Sequence, residues 1–203
     1  MKTYRKALSG AVLVISLLLT ACQKDSNGGN NGNNTNQKPK VGTTWTYRYY
    51  TFYVNGGLAT TSTIRYKAVS EVTLGGETWL KINEMGPDTT VYYLKGKTGG
   101  LYQYANNSSN LFCKDPASAG ETYTTYHRGS SEDFTVVSVG QTLPTDIGDV
   151  SSNFYEGKIS GNLIDQVWYN SNSWILRHQL YRKFPQGTDY YKYSALFIES
   201  IIY

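Results

Sequence analysis

The residues of this 203-residue chain that could do acid–base or metal chemistry are widely separated. His127 and His178 lie far apart, and neither has a cysteine or a second histidine at the short spacing typical of a zinc site. Glu132 and Asp133 are adjacent, so that on a strand they would point to opposite faces and could not cooperate. The sequence therefore predicts no metal site and no pair of cooperating carboxylates.

Known catalytic and cation-binding motifs are incomplete. The segment Asp146-Ile147-Gly148-Asp149 comes nearest to a cation loop, but it lacks the regularly spaced oxygen ligands of a calcium loop, and we interpret it as a turn. Ser130 and Ser131 lack the Gly-x-Ser-x-Gly elbow of a nucleophilic serine. The sequence contains no Gly-x-x-x-x-Gly-Lys loop for a phosphate. We therefore expect no catalytic residue, no cofactor and no enzymatic activity.

The two cysteines have different surroundings. Cys113 follows Leu111-Phe112 and is predicted to be a small buried hydrophobe, because neither histidine has the sequence context of a thiol partner. Cys22 follows a positively charged start, Met1–Lys6, and an apolar run, Ala7–Leu19. This run is shorter than the ~20 residues that span a bilayer. A positive start, a short apolar segment and small residues at its end are typical of a secretory signal peptide.

The end of this segment, Leu19-Thr20-Ala21-Cys22, resembles the lipobox of bacterial lipoproteins. The resemblance implies that the sulfur of Cys22 receives a diacylglycerol, that the chain is cut before Cys22, and that the new amine is acylated. Two or more acyl chains anchor a protein firmly, whereas one anchors it only marginally. We therefore expect a signal peptide over residues 1–21, lipid attachment at Cys22, and a membrane as the partner of the anchor.

Cleavage before Cys22 also changes the charge of the protein. The full chain has 19 basic and 15 acidic residues, and loss of Lys2, Arg5 and Lys6 leaves 16 against 15. A mature net charge of +1, with no basic block, removes the electrostatic basis for nucleic-acid binding.

Residues 22–40 are predicted to form a flexible tether. Residues 23–40 contain no aliphatic or aromatic side chain, so that no apolar burial offsets the entropy of ordering them. A flexible segment of this length reaches about 20–25 Å. Cys22-Gln23-Lys24-Asp25 also resembles the export signal of surface lipoproteins in Bacteroidota, although only one acidic residue follows here. The resemblance implies an outer-membrane lipoprotein exposed at the cell surface.

Residues 41–203 are predicted to form a single all-β domain. Their composition favours strands, and turn signals such as Asn55-Gly56-Gly57 and Pro185-Gln186-Gly187 recur at short spacing. Thr63–Val69 alternates, with Ile64, Tyr66 and Ala68 on one face, and Ile175–Tyr181 alternates with Leu176, His178 and Leu180 on one face. Many short strands predict an antiparallel sandwich, a barrel or a half-barrel.

An internal echo suggests two duplicated β-meander halves. Gly42-Thr43-Thr44-Trp45 is echoed by Gly120-Glu121-Thr122-Tyr123 at an offset of 78, and Val91-Tyr92-Tyr93 by Val167-Trp168-Tyr169 at an offset of 76. These offsets indicate related segments at 41–113 and 119–184 and a closing strand at 189–203. The alternative is that tyrosine-rich strands resemble one another without duplication.

The overall pattern resembles that of uncharacterised Bacteroidota lipoproteins. These proteins have a Gly-x-x-Trp-x-Tyr strand after the tether, a mid-chain Pro-x-x-x-Gly and a later aromatic pair. The matching residues are Gly42, Trp45, Tyr47, Pro116, Gly120 and Trp168-Tyr169. The resemblance implies an all-β lipoprotein fold and no active site.

Aromatic residues are the one compositional excess, with 19 Tyr, 4 Trp and 6 Phe. Exposed rings would suit carbohydrate or a partner protein, and rings inside a barrel would suit a small apolar ligand or a lipid. In a third interpretation, tyrosine simply suits both faces of a small sheet. In the pairs Tyr49-Tyr50, Tyr92-Tyr93 and Tyr190-Tyr191, we expect one ring of each to lie in the core. We predict a binding or structural role, with the apolar-ligand carrier as the alternative, and the sequence predicts no oligomeric state.

Overall fold

The structure is a computed structural model that describes residues 37–86 and 90–203. The lipobox, Cys22 and most of the predicted tether lie outside the described residues. The described residues form twelve strands: β1 Thr44–Phe52, β2 Leu58–Leu74, β3 Glu77–Glu84, β4 Val91–Lys97, β5 Gly99–Ala105, β6 Ser108–Asp115, β7 Thr122–His127, β8 Ser130–Thr145, β9 Gly148–Ile159, β10 Asn162–Asn170, β11 Trp174–Lys183 and β12 Tyr190–Ile202. A helix long and apolar enough to cross a membrane does not occur in the described ranges.

The twelve strands form one antiparallel sheet in the order β6-β5-β4-β3-β2-β1-β12-β11-β10-β9-β8-β7. Each strand pairs with its neighbours in sequence except β6 and β7, which are the two edges of the sheet, and β1 pairs with β12. The sheet curls into a nearly closed barrel, which confirms the predicted all-β antiparallel class and selects a barrel over a sandwich.

The barrel closes at the edge strand β6, which accepts side-chain hydrogen bonds from β7, the other edge strand, and from β9. The Tyr123 hydroxyl donates to the Phe112 carbonyl at 2.8 Å, and the Tyr155 hydroxyl donates to the Lys114 carbonyl at 2.6 Å. An edge strand presents unpaired carbonyl groups, and these two tyrosines satisfy two of them on β6.

The strand order divides the sheet into two six-stranded meanders, which we call the first half (β1–β6) and the second half (β7–β12). The echoed segments fall on equivalent strands, because Trp45 and Tyr123 lie on β1 and β7, and Tyr92 and Trp168 lie on β4 and β10. The strand predicted to close the fold is β12, which belongs to the second half. The duplication itself stays a prediction.

The predicted alternation on β2 is confirmed. Ile64 and Tyr66 are half-buried and Ala68 is fully buried, whereas Arg65 and Lys67 are exposed. The alternation predicted for β11 is interrupted, because the register with β10 shifts between Ile175 and Arg177 and leaves Leu176 unpaired. This irregularity moves Ile175 onto the same inner surface as His178 and Leu180.

The expectation for the three tyrosine pairs is only partly right. All six rings are half-buried, and none belongs to the fully buried core. Tyr49 and Tyr92 face the interior of the barrel, whereas neither Tyr190 nor Tyr191 does. The third pair lies near the end of the sheet, where Tyr191 packs on Phe184 instead.

Candidate ligand cavity and its polar floor

The interior of the barrel contains a cavity of about 580 Å³. This volume lies within the range of about 300–1,000 Å³ that is usual for small-molecule sites. Its exposed lining residues, Thr90, Arg128 and Arg182, mark an open end, whereas Trp45, Ile82 and Phe112 mark a buried end. The barrel therefore encloses a space large enough for a small ligand, with a route to solvent.

One wall of the cavity is aromatic. The rings of Tyr47, Tyr66 and Tyr92 meet edge to face, with centroid separations of 5.8 and 5.9 Å. Deeper in the cavity, Trp45 stacks on Trp174 at 5.6 Å. Edge-to-face and offset-stacked rings are favourable arrangements that also hold each ring in one orientation. The wall therefore offers a continuous, ordered apolar surface, which we call the aromatic wall.

The aromatic wall is fixed to the opposite half of the barrel by hydrogen bonds. The indole nitrogen of Trp45 donates to the Ser173 carbonyl at 3.0 Å, and the Tyr47 hydroxyl donates to the Ile175 carbonyl at 2.7 Å. Trp174, between these two acceptors, has a φ of 66°, a conformation that a bulky residue rarely adopts. The β10–β11 turn is thus held in an unusual conformation beside the cavity.

Burial keeps the wall uncharged. Desolvation raises the pKa of Tyr47 well above its ordinary value, and desolvation together with the neighbouring Tyr92 hydroxyl does the same for Tyr66. Both hydroxyls therefore stay protonated at any physiological pH.

The opposite region of the cavity is polar, and we call it the polar floor. It consists of His127 from β7, Arg128 from the β7–β8 turn and His178 from β11, which line the cavity, together with the buried side chains of Glu132 from β8 and Asp165 from β10. All five are brought together although they are spread over about 50 positions of the sequence. Antiparallel pairing does this, because Thr125 pairs with Glu132 and Gly157 pairs with Asp165 across neighbouring strands.

Asp165 is the centre of the polar floor. Its side chain is fully buried, and its Oδ1 accepts a hydrogen bond from Nε2 of His178 at 2.5 Å, while Oδ2 accepts one from the Arg128 guanidinium. Burial alone would raise the pKa of this carboxyl. The His178 hydrogen bond and the nearby positive charge outweigh burial and hold the pKa below its ordinary value.

Glu132 has the opposite electrostatic character. Burial first, and then the adjacent Asp165 carboxylate, raise the pKa of Glu132 well above its ordinary value. Its Oε2 atom is buried, and no hydrogen-bond donor of the described residues faces it. A proton on Glu132, shared with Asp165, would satisfy both carboxyl groups, because two adjacent carboxylates cannot both ionise without cost.

His127 is held by Gln103 and Phe112. Its Nδ1 lies 2.8 Å from Oε1 of Gln103, and its ring stacks on Phe112 with 4.2 Å between centroids. Burial lowers the pKa of His127 to about 3, so the ring is neutral. Its other nitrogen, Nε2, is buried and has no hydrogen-bond partner among the residues that the structure describes.

Gly157 makes room for the polar floor. A Cβ at this position would lie 2.6 Å from the Phe134 ring and 2.9 Å from Oε2 of Glu132. Because Gly157 on β9 has no side chain, Glu132 from β8 and Asp165 from β10 can approach each other across β9.

The structure corrects one interpretation of the sequence. His127 and His178, which appear unrelated in sequence, have ring centroids 6.1 Å apart. Together with Asp165 they offer one potential metal-ligand atom each, all within 4.8 Å of one another. Spacing along the chain did not reveal this group, because four hairpin turns lie between His127 on β7 and His178 on β11.

Other sequence predictions are confirmed. Glu132 is buried and Asp133 is exposed, as adjacent strand residues should be. Asp146 and Ile147 form the turn between β8 and β9. Cys113 is fully buried, and burial raises the pKa of its thiol. Asp165, Arg128 and Gln103 also belong to the site, yet no sequence motif pointed to them.

The outer surface is poorer in exposed rings than the composition suggested. Among the described residues, Tyr53 is the only aromatic side chain in the group of exposed large hydrophobics. A groove of about 430 Å³ does lie between the outer side of the sheet and the β8–β9 turn, where Tyr50 and Phe197 meet edge to face at 5.5 Å. The aromatic excess therefore serves mainly the core and the cavity.

Comparison with known proteins gives two structural similarities. One is to a candidate exported protein with a YmcC-like fold from Bacteroides fragilis NCTC 9343, with 14% identity, a TM-score of 0.47, and coverage of 82% of this chain and 98% of the other. The second is to a candidate lipoprotein from Parabacteroides distasonis ATCC 8503, with 12% identity, a TM-score of 0.47, and coverage of 82% and 97%. No protein-family model and no curated protein sequence matches the chain. No family, ligand or activity is transferred from either structure.

Proposed function

We propose that this protein is a lipid-anchored envelope protein that binds a small amphipathic ligand inside its barrel. The observation that carries the proposal is the cavity of about 580 Å³, with an aromatic wall and an open end. An enclosed apolar space with a few convergent polar groups is the usual form of a ligand site. This favours the carrier over a surface-binding module as the role of the aromatic residues.

The lining indicates the chemistry of the ligand. The aromatic wall suits an apolar or ring-containing body, and the protonated hydroxyls of Tyr66 and Tyr92 can hydrogen-bond to it. The buried charges are already paired, since Asp165 binds both Arg128 and His178. At the open end, Arg182 lies over the Tyr193 ring, 3.5 Å from its centroid. An uncharged or weakly polar ligand therefore fits better than a strongly charged one.

The proposal is binding rather than catalysis. The Asp165–His178 pair resembles the two supporting members of a catalytic triad, but no hydroxyl or thiol among the described residues bonds to the other ring nitrogen of His178. Cys113, the one thiol in the described part of the chain, is fully buried. Nucleophilic catalysis needs a nucleophile within hydrogen-bond reach of its base.

The first experiment is a native mass spectrum of the full chain recovered from a bacterial envelope. A reproducible extra mass that is lost on denaturation is the expected result. Leu196→Trp fills the cavity with an indole and should abolish the extra mass, because Leu196 lines the cavity. Val69→Trp adds the same group at an exposed position and should retain it. Solvent extraction then identifies the bound molecule as a lipid or another apolar compound.

A clean mass for the wild-type protein, together with no binding of a fluorescent apolar probe, would contradict the proposal. A second candidate would then be tested, which is a sugar or a partner protein on the outer face. The groove beside Tyr50 and Phe197 favours that candidate.

Attachment to the membrane is tested separately. Cys22→Ser removes the sulfur that the lipobox resemblance assigns to the lipid, so the precursor should stay uncut and should not incorporate labelled palmitate. Cys113→Ser is the matched control and should be labelled like the wild type. Palmitate incorporation by the Cys22→Ser protein would exclude this anchor.

A further inference from the structure

We propose that His127, Asp165 and His178 form a binding site for a divalent transition-metal ion at the polar floor of the cavity. Each residue offers one ligand atom, and these atoms all lie within 4.8 Å of one another. Two imidazoles and one carboxylate are a ligand set that suits zinc or a neighbouring first-row ion. The site does not depend on the proposed amphipathic ligand.

The orientation of His127 is the strongest argument. Oε1 of Gln103 can only accept a hydrogen bond, so Nδ1 of His127 carries the hydrogen and Nε2 keeps its lone pair. That Nε2 atom is buried in a side chain only 5% exposed, and it has no partner among the described residues. A metal-bound histidine typically donates its other N–H to an oxygen in this way, which fixes the tautomer that binds the ion.

Asp165 is prepared as a second ligand. Its Oδ2 is held by the Arg128 guanidinium, so that Oδ1 points towards His178. Hydrogen-bonded carboxylates are typical of metal sites, because the outer bond fixes the direction of the free oxygen.

His178 completes the set with a small rearrangement. Its Nε2 now donates to Oδ1 of Asp165 at 2.5 Å, and an entering ion would take the place of that proton. The ring keeps its other hydrogen on Nδ1, because the displaced proton moves there in a neutral imidazole and leaves to solvent from an imidazolium. Ligands on one tetrahedral zinc ion, at bond lengths of about 2.0–2.1 Å, lie roughly 3.3 Å apart. The two side chains would therefore separate by less than about 1 Å.

A second buried carboxyl group lies beside the site. Glu132 is buried beside Asp165, and its Oε2 is another buried atom without a hydrogen-bond partner among the described residues. Three protein ligands would leave one coordination position open, and both histidines line the cavity, so that position faces the cavity.

Zinc binding by the untagged, chelator-treated full chain tests the site by calorimetry, with cobalt as a spectroscopic probe. The chain has only two histidines, and both are in the site, so a cobalt spectrum with nitrogen ligands reports on it directly. We expect one ion per chain. His127→Gln and His178→Gln should each weaken binding at least tenfold, and Gln103→Leu, which keeps all three ligands, should weaken it about 10–100-fold.

Thr125→Val is the matched control, because Thr125 is buried on the same strand as His127 and is not a ligand. It should bind zinc like the wild type. If a ligand variant fails to fold, zinc-induced shifts of the two imidazole nitrogens in the wild-type protein decide the question. Absence of those shifts, or unchanged zinc affinity in the histidine variants, would overturn the proposal. Because zinc alone is the probe, either result leaves the native mass experiment unaffected.

Discussion

The two halves of the barrel provide unlike walls for one cavity. Four of the five cavity tyrosines, Tyr47, Tyr49, Tyr66 and Tyr92, come from the first half, and Tyr193 comes from the second. Both arginines and both histidines of the lining come from the second half. Equivalent six-stranded meanders therefore carry different chemistry on their inner surfaces.

The two walls are also stabilised in different ways. The aromatic wall is fixed by separate contacts, and its hydrogen bonds run from Trp45 and Tyr47 to backbone carbonyls of the second half. In the polar floor, one carboxylate serves two partners, because Asp165 binds both Arg128 and His178. Separate contacts can be lost one at a time, whereas a shared buried network fails as a unit.

The largest expected loss of stability comes from adding a Cβ to one glycine in each half. In the first half, Gly100→Ala would place a Cβ 2.0 Å from the Cys113 carbonyl oxygen at a φ of 133°. Backbone cannot move aside, so we expect a loss of more than about 4 kcal/mol or failure to fold. In the second half, Gly157→Ala would press on the Phe134 ring, and the cost should be about 1–3 kcal/mol.

Urea unfolding of both glycine variants measures this difference. Gly76→Ala, at a positive φ with no atom within 4 Å of its added Cβ, controls for backbone strain alone. If Gly100→Ala and Gly76→Ala lowered the free energy of unfolding equally, the close packing of β5 on β6 at Gly100 would be disproved.

The next effect tests whether the polar floor acts as a unit. Asp165→Asn leaves Arg128 and His178 without their buried anion and should cost about 3–5 kcal/mol. Adding Arg128→Met to this variant should cost much less than Arg128→Met alone, with a coupling of about 1–3 kcal/mol. A double-mutant cycle by urea unfolding gives the coupling directly. A coupling near zero would mean that the floor consists of independent contacts, like the aromatic wall.

The strands of the first half, which carry most of the aromatic wall, could be predicted from sequence because strand alternation and turn residues are local features. Strand alternation places Ile64, Tyr66 and Ala68 on one face whatever the topology, and turn residues mark where each strand ends. Short connections between sequential neighbours account for ten of the eleven strand pairings, but not for the pairing of β1 with β12 or for the break between β6 and β7. An excess of tyrosine could then be assigned to a sheet surface, although not to its inner side.

The polar floor could not be predicted because its signal is not local. His127, Asp165 and His178 meet only after β7 to β11 have paired in register. A single-residue slip would turn each of them to the other face. Gly157, which leaves the space, looks in sequence like an ordinary strand glycine, and Gln103 comes from the other half of the chain. Catalytic and metal motifs describe short spacings, so a site assembled across five strands escapes them.

The smallest expected change in stability tests whether the aromatic wall and the polar floor are independent. Tyr47→Phe keeps the ring and removes one hydroxyl, so the Ile175 carbonyl loses its donor and unfolding free energy should fall by about 1 kcal/mol. Tyr49→Phe, whose hydroxyl has no hydrogen bond among the described contacts, is the control and should change stability less.

Urea unfolding of the Tyr47→Phe/Asp165→Asn double variant then measures whether the aromatic wall and the polar floor are energetically coupled. The two residues share no partner, so their costs should add within about 0.5 kcal/mol. A larger departure would show that β11, which carries both the Ile175 carbonyl and His178, transmits changes from the aromatic wall to the polar floor.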